Sequence, residues 1–153
     1  MSGIIDLIEN FCKDSDLTFC RTDENELQVS LSSNYDLSVF LKPEYEILHF
    51  SNDMGLVCPK SRLAVMEDSI IKANERIWTG HFDLISSDSR IVYSLTLPFV
   101  YSFFLDESSV ESIFDLIRDE SDRFYDYFKM ILTNKQIKDF SISSLFQEAV
   151  GEA

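Results

Sequence analysis

The sequence predicts an α+β fold, in which helices pack on an antiparallel β-sheet of about six strands. Between residues 17 and 56, short strand-like segments are joined by connections too short for parallel crossovers, which indicates hairpins. Longer segments with apolar residues at helical spacing flank and interrupt them. Such a pattern favours α+β, in the order helix, four strands, helix, two strands, helix, and then a short C-terminal helix.

The first helix is predicted over residues 2–15, with Ser2 as its N-cap. Its apolar face consists of Ile4, Leu7, Ile8 and Phe11. Four strands are then predicted at 17–22, near 27–32, near 37–41 and at 47–56. Apolar and polar residues alternate along the second and third strands, which is typical of strands with one buried face.

A second helix is predicted to begin near Pro59, which suits the first turn of a helix, and to end at Gly80. Its apolar positions are Leu63, Met66, Ile70, Ala73 and Ile77. Strands at about 81–86 and 89–97 follow, and the turn between them is rich in Ser and Asp.

The last long helix has the clearest pattern. Ser108 and Glu111 fit a capping box at its start. One face is apolar and contains Val110, Ile113, Phe114, Ile117, Phe124, Phe128 and Ile131. The chain therefore divides into a domain at 1–134 and a short tail at 135–153. The tail is amphipathic, because Ile142, Leu145, Phe146 and Ala149 fall on one side of a helix.

The chain is acidic, with 27 Asp and Glu residues against 13 Lys and Arg and a net charge of −14. Nucleic-acid binding needs basic residues to neutralise phosphates, and anionic membranes repel a chain of this charge. We therefore expect no nucleic acid or membrane as a partner. Two interpretations of the acidity stay open, a solvated surface or an electrostatic field that attracts a basic partner.

The sequence contains no pattern for catalysis, metal binding or cofactor binding. The two histidines, His49 and His81, lie in predicted strands without an adjacent nucleophile. Four glycines form no phosphate loop, and the scattered Cys and His residues lack metal-ligand spacing. We predict no enzymatic activity, no catalytic, cofactor or metal residues, and no cofactor.

Three cysteines give no disulfide framework, and the N-terminus does not read as a signal peptide. These observations predict a cytoplasmic protein. Cys12 and Cys20 are expected to be buried and Cys58 to be more exposed.

An aromatic segment follows the last predicted strand, and it is the main candidate for contact with another protein. The candidate contact residues are Phe99, Tyr101, Phe103 and Phe104, with Leu145 and Phe146 in the tail. The alternative is that Phe99, Phe103 and Leu105 complete the protein's own core.

Three segments resemble the YbjN family of bacterial sensory transduction regulators. They are Asn74–Leu84, which runs Asn-Glu-Arg-Ile-Trp-Thr-Gly-His-Phe-Asp-Leu, then Arg90–Pro98, and Asp122–Tyr125. The resemblance covers roughly residues 3–132. It implies a fold like that of class I type III secretion chaperones, which are usually homodimers that bind extended protein segments. It carries over no catalytic residues. It implies only structural roles for four residues. Gly80 would permit a backbone angle that other residues resist, Phe82 would enter the core, and the side chains of Asn74 and His81 would bond to nearby backbone groups.

These observations together predict a non-enzymatic protein that binds another protein, as a regulatory or chaperone-like adaptor. A homodimer is expected, through the free sheet face or the helix at 60–77. The alternatives are a dedicated class I type III secretion chaperone for an effector, or a small-molecule-binding module or enzyme.

Overall fold

A computed structural model describes residues 3–98 and 105–133. Three helices lie in these ranges: α1 (Ile4–Asp14), α2 (Leu63–Asn74) and α3 (Glu107–Thr133). Six strands accompany them: β1 (Phe19–Asp23), β2 (Glu26–Ser30), β3 (Asp36–Lys42), β4 (Ile47–Val57), β5 (His81–Leu84) and β6 (Arg90–Pro98).

The six strands form one antiparallel sheet in the order β1-β2-β3-β4-β6-β5. The predicted α+β class and strand number are confirmed, and so is the element order from α1 to α3. The short helix predicted in the tail at 135–153 lies outside the described residues. The first four strands form a meander. The chain then passes through α2 to the far edge, and β6 returns between β5 and β4. The two edge strands are therefore β1 and β5.

All three helices pack on one face of the sheet. Inward residues of β4 alternate with outward ones, and Leu48, Phe50 and Met54 are almost fully buried. The core joins these residues to Ile8 of α1 and Phe114 of α3. The sequence pattern predicts the second and third helices on one face and does not place the first. Helix α1 joins them because its buried residues pack over β1, β2 and α3.

Helix α3 runs antiparallel to α2, as two contacts along their length show. The Arg123 guanidinium donates to the backbone oxygen of Arg76, near the end of α2, over 3.5 Å. One turn later on α3, the Tyr127 hydroxyl reaches Ser69, in the middle of α2. The C-terminal end of α3 therefore lies toward the beginning of α2.

The helix ends differ from their predicted positions. Helix α1 begins after Gly3, whose N–H donates to the Asp6 carboxylate over 3.0 Å. At the start of α3, Asp106 rather than Ser108 is the cap. It accepts bonds from the N–H and hydroxyl of Ser109 over 2.8 and 2.9 Å. Helix α2 ends at Asn74, so Ile77 lies beyond it.

Two expectations about the cysteines were wrong. Cys20 is exposed because it lies on the outward side of β1, opposite Gln28. Cys58 is buried where β4 ends, and its N–H donates to the backbone oxygen of Ser89 over 2.8 Å. Cys12 is buried as expected, and burial raises the pKa of its thiol to about 11.

Candidate protein-interaction surfaces

The predicted contact residues lie outside the part of the chain that the structure describes. They are Phe99, Tyr101, Phe103, Phe104, Leu145 and Phe146. Leu105, at the border of that part, is half-buried and packs against the core. The described residues carry other surfaces that can be analysed directly.

Asn74 joins the end of α2 to strand β5. Its side-chain Nδ2 donates to the backbone oxygen of Phe82 over 3.0 Å, and its Oδ1 accepts from the Phe82 N–H over 2.7 Å. The amide thus makes the same pair of hydrogen bonds that a residue of a neighbouring strand would make. At Phe82, the Asn74 side chain therefore takes the position of a residue that a further strand beside β5 would supply.

Gly80 permits the tight passage from α2 into β5. Its φ is +72°, and an added Cβ would lie 2.5 Å from the Tyr93 hydroxyl oxygen and 2.6 Å from the Ser94 backbone oxygen. The Tyr93 hydroxyl donates to the Thr79 backbone oxygen over 2.5 Å. Burial raises the pKa of Tyr93 to about 12. Only glycine fits this position without displacing the hydroxyl.

Phe82 anchors the same junction in the core. It is 1% exposed, and its ring lies 5.3 Å from that of Tyr93 and 5.1 Å from those of Phe124 and Phe128. His81 next to it points away from the helices and is exposed. In residues 3–98 and 105–133, the His81 ring forms no hydrogen bond.

The edge formed by β5 is closed to strand addition. Its pairing with β6 turns the N–H groups of Phe82 and Leu84 outward, because Ile85 is a hydrogen-bonded partner of Arg90. Asn74 accepts the first of these bonds, and the Asp83 carboxylate accepts the second over 2.9 Å. An incoming strand therefore finds no available donor at these two residues.

The opposite edge, β1, differs. Ser30 donates to the Thr18 backbone oxygen, so the alternation of antiparallel bonds turns the backbone groups of Phe19 and Arg21 outward. No hydrogen bond within the described ranges reaches these outward groups. Strand β1 thus presents a short open edge.

The Arg21 side chain donates to the backbone oxygens of Asp23 and Glu24, over 3.4 and 2.7 Å, and also forms ion pairs with α1. Its Nη1 lies 2.5 Å from the Asp6 carboxylate and 3.1 Å from that of Glu9, both on α1. The hydrogen bond from Arg21 lowers the pKa of Asp6. The exposed residues at and beside β1 include four acids, Asp14, Asp16, Asp23 and Glu24, and the base Lys13. A cationic segment would be attracted to β1.

A second surface lies around the connection between α2 and β5. Trp78 is fully exposed, at 101% of its reference area, and Ile71 on α2 is 59% exposed. Large exposed apolar side chains in one region are typical of protein-interaction sites.

A cleft of about 650 Å³ separates α2 from β5. Its walls are mostly apolar, with Leu63, Ile70 and Ile71 from α2 and Phe82, Leu84 and Ile85 from the strand side. Glu67, Asn74, His81 and Asp83 add polar groups to the lining.

The sheet face opposite the helices is polar. One row crosses every strand and consists of Cys20, Gln28, Ser38, Ser51, Ser94 and His81. In the next row, the His49 ring stacks on Phe40 and its Nδ1 lies 2.8 Å from the Thr96 hydroxyl. Burial lowers the pKa of His49, and the charges of His81 and Lys42 lower it further.

Among the described residues, no three His, Cys, Asp or Glu side chains are grouped to hold a metal ion. Within the same residues, no helix combines the length and apolar character required to cross a bilayer.

The sequence profile of a known family, described as "YbjN: Putative bacterial sensory transduction regulator", matches residues 5–130 of the chain. This range contains α2, all six strands and most of α1 and α3. The chain belongs to the YbjN family. No curated protein matches this YbjN-family chain in sequence.

Two solved structures are similar to this YbjN-family protein. One is "Crystal structure of YbjN, a putative transcription regulator from E. coli", at 11% identity and a TM-score of 0.59, covering 93% of this chain and 92% of that one. The other is a chain of the ExsC–ExsE complex, at 12% identity and a TM-score of 0.48, covering 84% and 93%.

The structural roles expected of Asn74, Gly80 and Phe82 agree with their contacts. The backbone hydrogen bond expected of His81 is wrong for the described residues, because its exposed side chain points away from the helices.

Sequence reasoning missed the exposure of Trp78, although Trp78 lies inside the quoted motif. Because Ile77 fits the helical spacing, the predicted second helix extended beyond its true end at Asn74. The connection between α2 and β5 was therefore not recognised as exposed surface. The difference between the two sheet edges had no signal in the sequence, because it depends on which strands lie outermost.

Proposed function

We propose that this YbjN-family protein is a non-enzymatic regulatory or chaperone-like adaptor that acts by binding another protein. Its free cysteines suit the cytoplasm, where thiols stay reduced. The observation that carries the proposal is the contrast between the two edges of the sheet. Asn74 and Asp83 occupy the outward donors of β5, whereas β1 presents its backbone groups to a partner.

We infer that the partner contributes an extended segment that adds to the sheet beside β1. Strand addition uses backbone hydrogen bonds for affinity and side-chain pockets for specificity. The acidic residues around β1 favour Lys and Arg in that segment, or close to it. The exposed strand is five residues long, so the added strand would be short.

The test begins by isolating the partner from the native host with the full chain as bait and identifying it by mass spectrometry. Binding of the purified partner is then compared for Arg21→Pro and Arg21→Ala. Both variants lose the ion pairs with Asp6 and Glu9. Only proline also lacks the outward N–H, which the β1–β2 pairing does not use.

The proposal expects Arg21→Pro to bind roughly tenfold more weakly than Arg21→Ala, because an intermolecular hydrogen bond and its neighbours are lost. Far-UV circular dichroism and unfolding curves of both variants establish that each is folded. Equal binding by the two folded variants would contradict strand addition at β1.

We also propose that two copies of the chain associate. Two regions were expected as the interface between the copies, the free sheet face or the helix at 60–77. The sheet face carries Asp36, Asp53 and Asp83 in one row with Val92, and Arg90 pairs with Asp53 over 2.6 Å. The apolar exposure lies instead near the second region. The exposed side chains of Ile71 and Trp78 support pairing near α2.

A further inference from the structure

The cleft between α2 and β5 differs from the open β1 edge in what it can bind. Its strand wall offers no outward donor at Phe82 or Leu84, because Asn74 and Asp83 already bond them. Its lining combines apolar side chains, such as Ile70, Ile71 and Leu84, with the polar residues named above. The cleft therefore suits the apolar face of a helix, which satisfies its own backbone groups, better than it suits a strand.

The length of the cleft limits the occupant. The α2 residues that line it run from Leu63 to Asn74, which is roughly 16 Å along a helix axis. A docked helix of about two turns would match this distance. Larger segments would extend past Asn74 toward the exposed Trp78.

The chain itself continues for 20 residues after Thr133, to Ala153. The contacts of Arg123 with Arg76 and of Tyr127 with Ser69 direct α3 toward the beginning of α2. Leu63, at that end of α2, is the first residue of the cleft. The segment that follows α3 thus starts near one end of the cleft.

The sequence of this segment fits the cleft. Ile142, Leu145, Phe146 and Ala149 have the spacing of one helical face, and they span roughly 10 Å along an axis. The eight residues between Thr133 and Ile142 can reach up to about 27 Å. Lys135 and Lys138 in that link are opposite in charge to Glu67 and Asp83 of the cleft.

We propose that residues 134–153 of the same chain dock in the cleft between α2 and β5, with Leu145 and Phe146 against Ile70, Ile71 and Leu84. The segment would cover Ile71, so its docking would exclude pairing of two copies through that residue. The tail would then act as a built-in competitor that limits self-association. The intrachain contact itself does not depend on the adaptor function proposed above.

Hydrogen–deuterium exchange on the full chain tests this contact. Leu145→Ser/Phe146→Ser removes the proposed apolar contacts, and Ser144→Ala/Gln147→Ala changes the opposite side of the same predicted helix. The expected result is roughly tenfold faster exchange in residues 63–74 and 81–85 for the first variant only. Adding a synthetic peptide of residues 134–153 to that variant should restore slow exchange.

The cleft side is tested by Ile71→Ser, with Ala64→Ser as a matched control at another exposed position of α2. Ile71→Ser should accelerate exchange in 81–85, and combining it with Leu145→Ser/Phe146→Ser should add little more. Unchanged exchange in both the tail and the cleft variants would overturn the proposal.

Protein concentration separates the tail from a second copy as occupant. Docking within one chain predicts the same exchange rates at low and high concentration. Protection that appears only at high concentration would assign the cleft to a second copy and overturn the proposal. Partner binding by the Arg21 variants is measured separately, so either result leaves the test of the β1 edge intact.

Discussion

The side-chain amide of Asn74 forms both hydrogen bonds that the outward backbone groups of Phe82 can make, across eight residues of sequence. A single side chain thus fixes the end of α2 to β5. It also completes the edge of the sheet at Phe82, whose ring packs against those of Tyr93, Phe124 and Phe128.

Asn74→Ala should lower the free energy of unfolding by about 1–3 kcal/mol, because two net hydrogen bonds are lost and the Phe82 N–H is left without its partner. Chemical denaturation measures this change. Asn74→Asp is the matched control, since its carboxylate still accepts from the N–H but cannot donate to the Phe82 oxygen. It should lose less than alanine if the N–H bond dominates. Wild-type stability of the alanine variant would contradict the structural role of Asn74.

Gly80→Ala should destabilise the fold by about 2–5 kcal/mol. The variant combines a positive φ, which alanine resists, with a Cβ pressed against the Tyr93 hydroxyl and the Ser94 backbone oxygen. Thermal unfolding provides the measurement. Gly3→Ala is a suitable control, because the nearest atom to its added Cβ is 3.9 Å away. Similar melting curves for the two variants would show that the junction tolerates a side chain.

Stability should fall as the pH decreases from about 7 toward 5, in part because of His49. Burial lowers the pKa of His49, so folding disfavours its charged form. The stability that neutral His49 contributes is fully present above the pKa of the unfolded chain, about 6.5. It is lost as the pH falls from that value through the lower pKa of the folded protein.

The difference between wild-type and His49→Gln unfolding free energies, measured across this pH range, isolates the effect. Lys42→Met should reduce the pH dependence that His49 causes, because the Lys42 charge is one of those that lower the His49 pKa. A pH-independent difference between wild type and His49→Gln would rule out this titration.

Trp78→Ser should weaken self-association while changing the free energy of unfolding by no more than about 0.5 kcal/mol, since the side chain is fully exposed. Sedimentation velocity over a range of concentrations measures the first effect and denaturation the second. Tyr45→Ser is a control, because Tyr45 is also exposed, at 72%, but lies between β3 and β4. Equal association of wild type and Trp78→Ser would exclude Trp78 from the interface.

Partner binding should depend on salt. With a net charge of −14 and acidic residues around β1, the association rate with a basic partner should fall steeply between low and high ionic strength, whereas dissociation should change less. Stopped-flow or surface-based kinetics at several salt concentrations can measure both rates. An association rate that does not respond to salt would remove the electrostatic part of the proposal.

The fold was largely predictable because strand alternation and helical spacing record burial directly. Residues such as Leu27, Val39 and Phe114 were placed on the buried faces where they lie. Capping was less predictable, because Ser108 and Asp106 both suit a helix start and the hydrogen bonds of Ser109 decide between them.

Long-range polar contacts could not be read from the pattern. Asn52 is fully buried on the sheet face that packs against α3, and its side-chain amide donates to the Ser121 hydroxyl of α3 over 2.8 Å. Nothing local pairs these two residues, which are 69 positions apart. The interaction surfaces depend on the same kind of information, because the path of the chain from β4 through α2 makes β5 an edge and leaves Trp78 outside.

The unlike edges of the sheet also govern how the folded protein can assemble with itself. A sheet with two receptive sides can join head to tail without limit and grow into a ribbon. Here a strand can add beside β1, but the outward N–H groups of Phe82 and Leu84 on β5 are already bonded. Strand addition therefore cannot continue from the β5 edge. Through its sheet edges, the protein could unite at most two β1 strands about a twofold axis, which yields a finite pair. We therefore expect Asn74 and Asp83, which accept the outward N–H groups of β5, to oppose fibril growth.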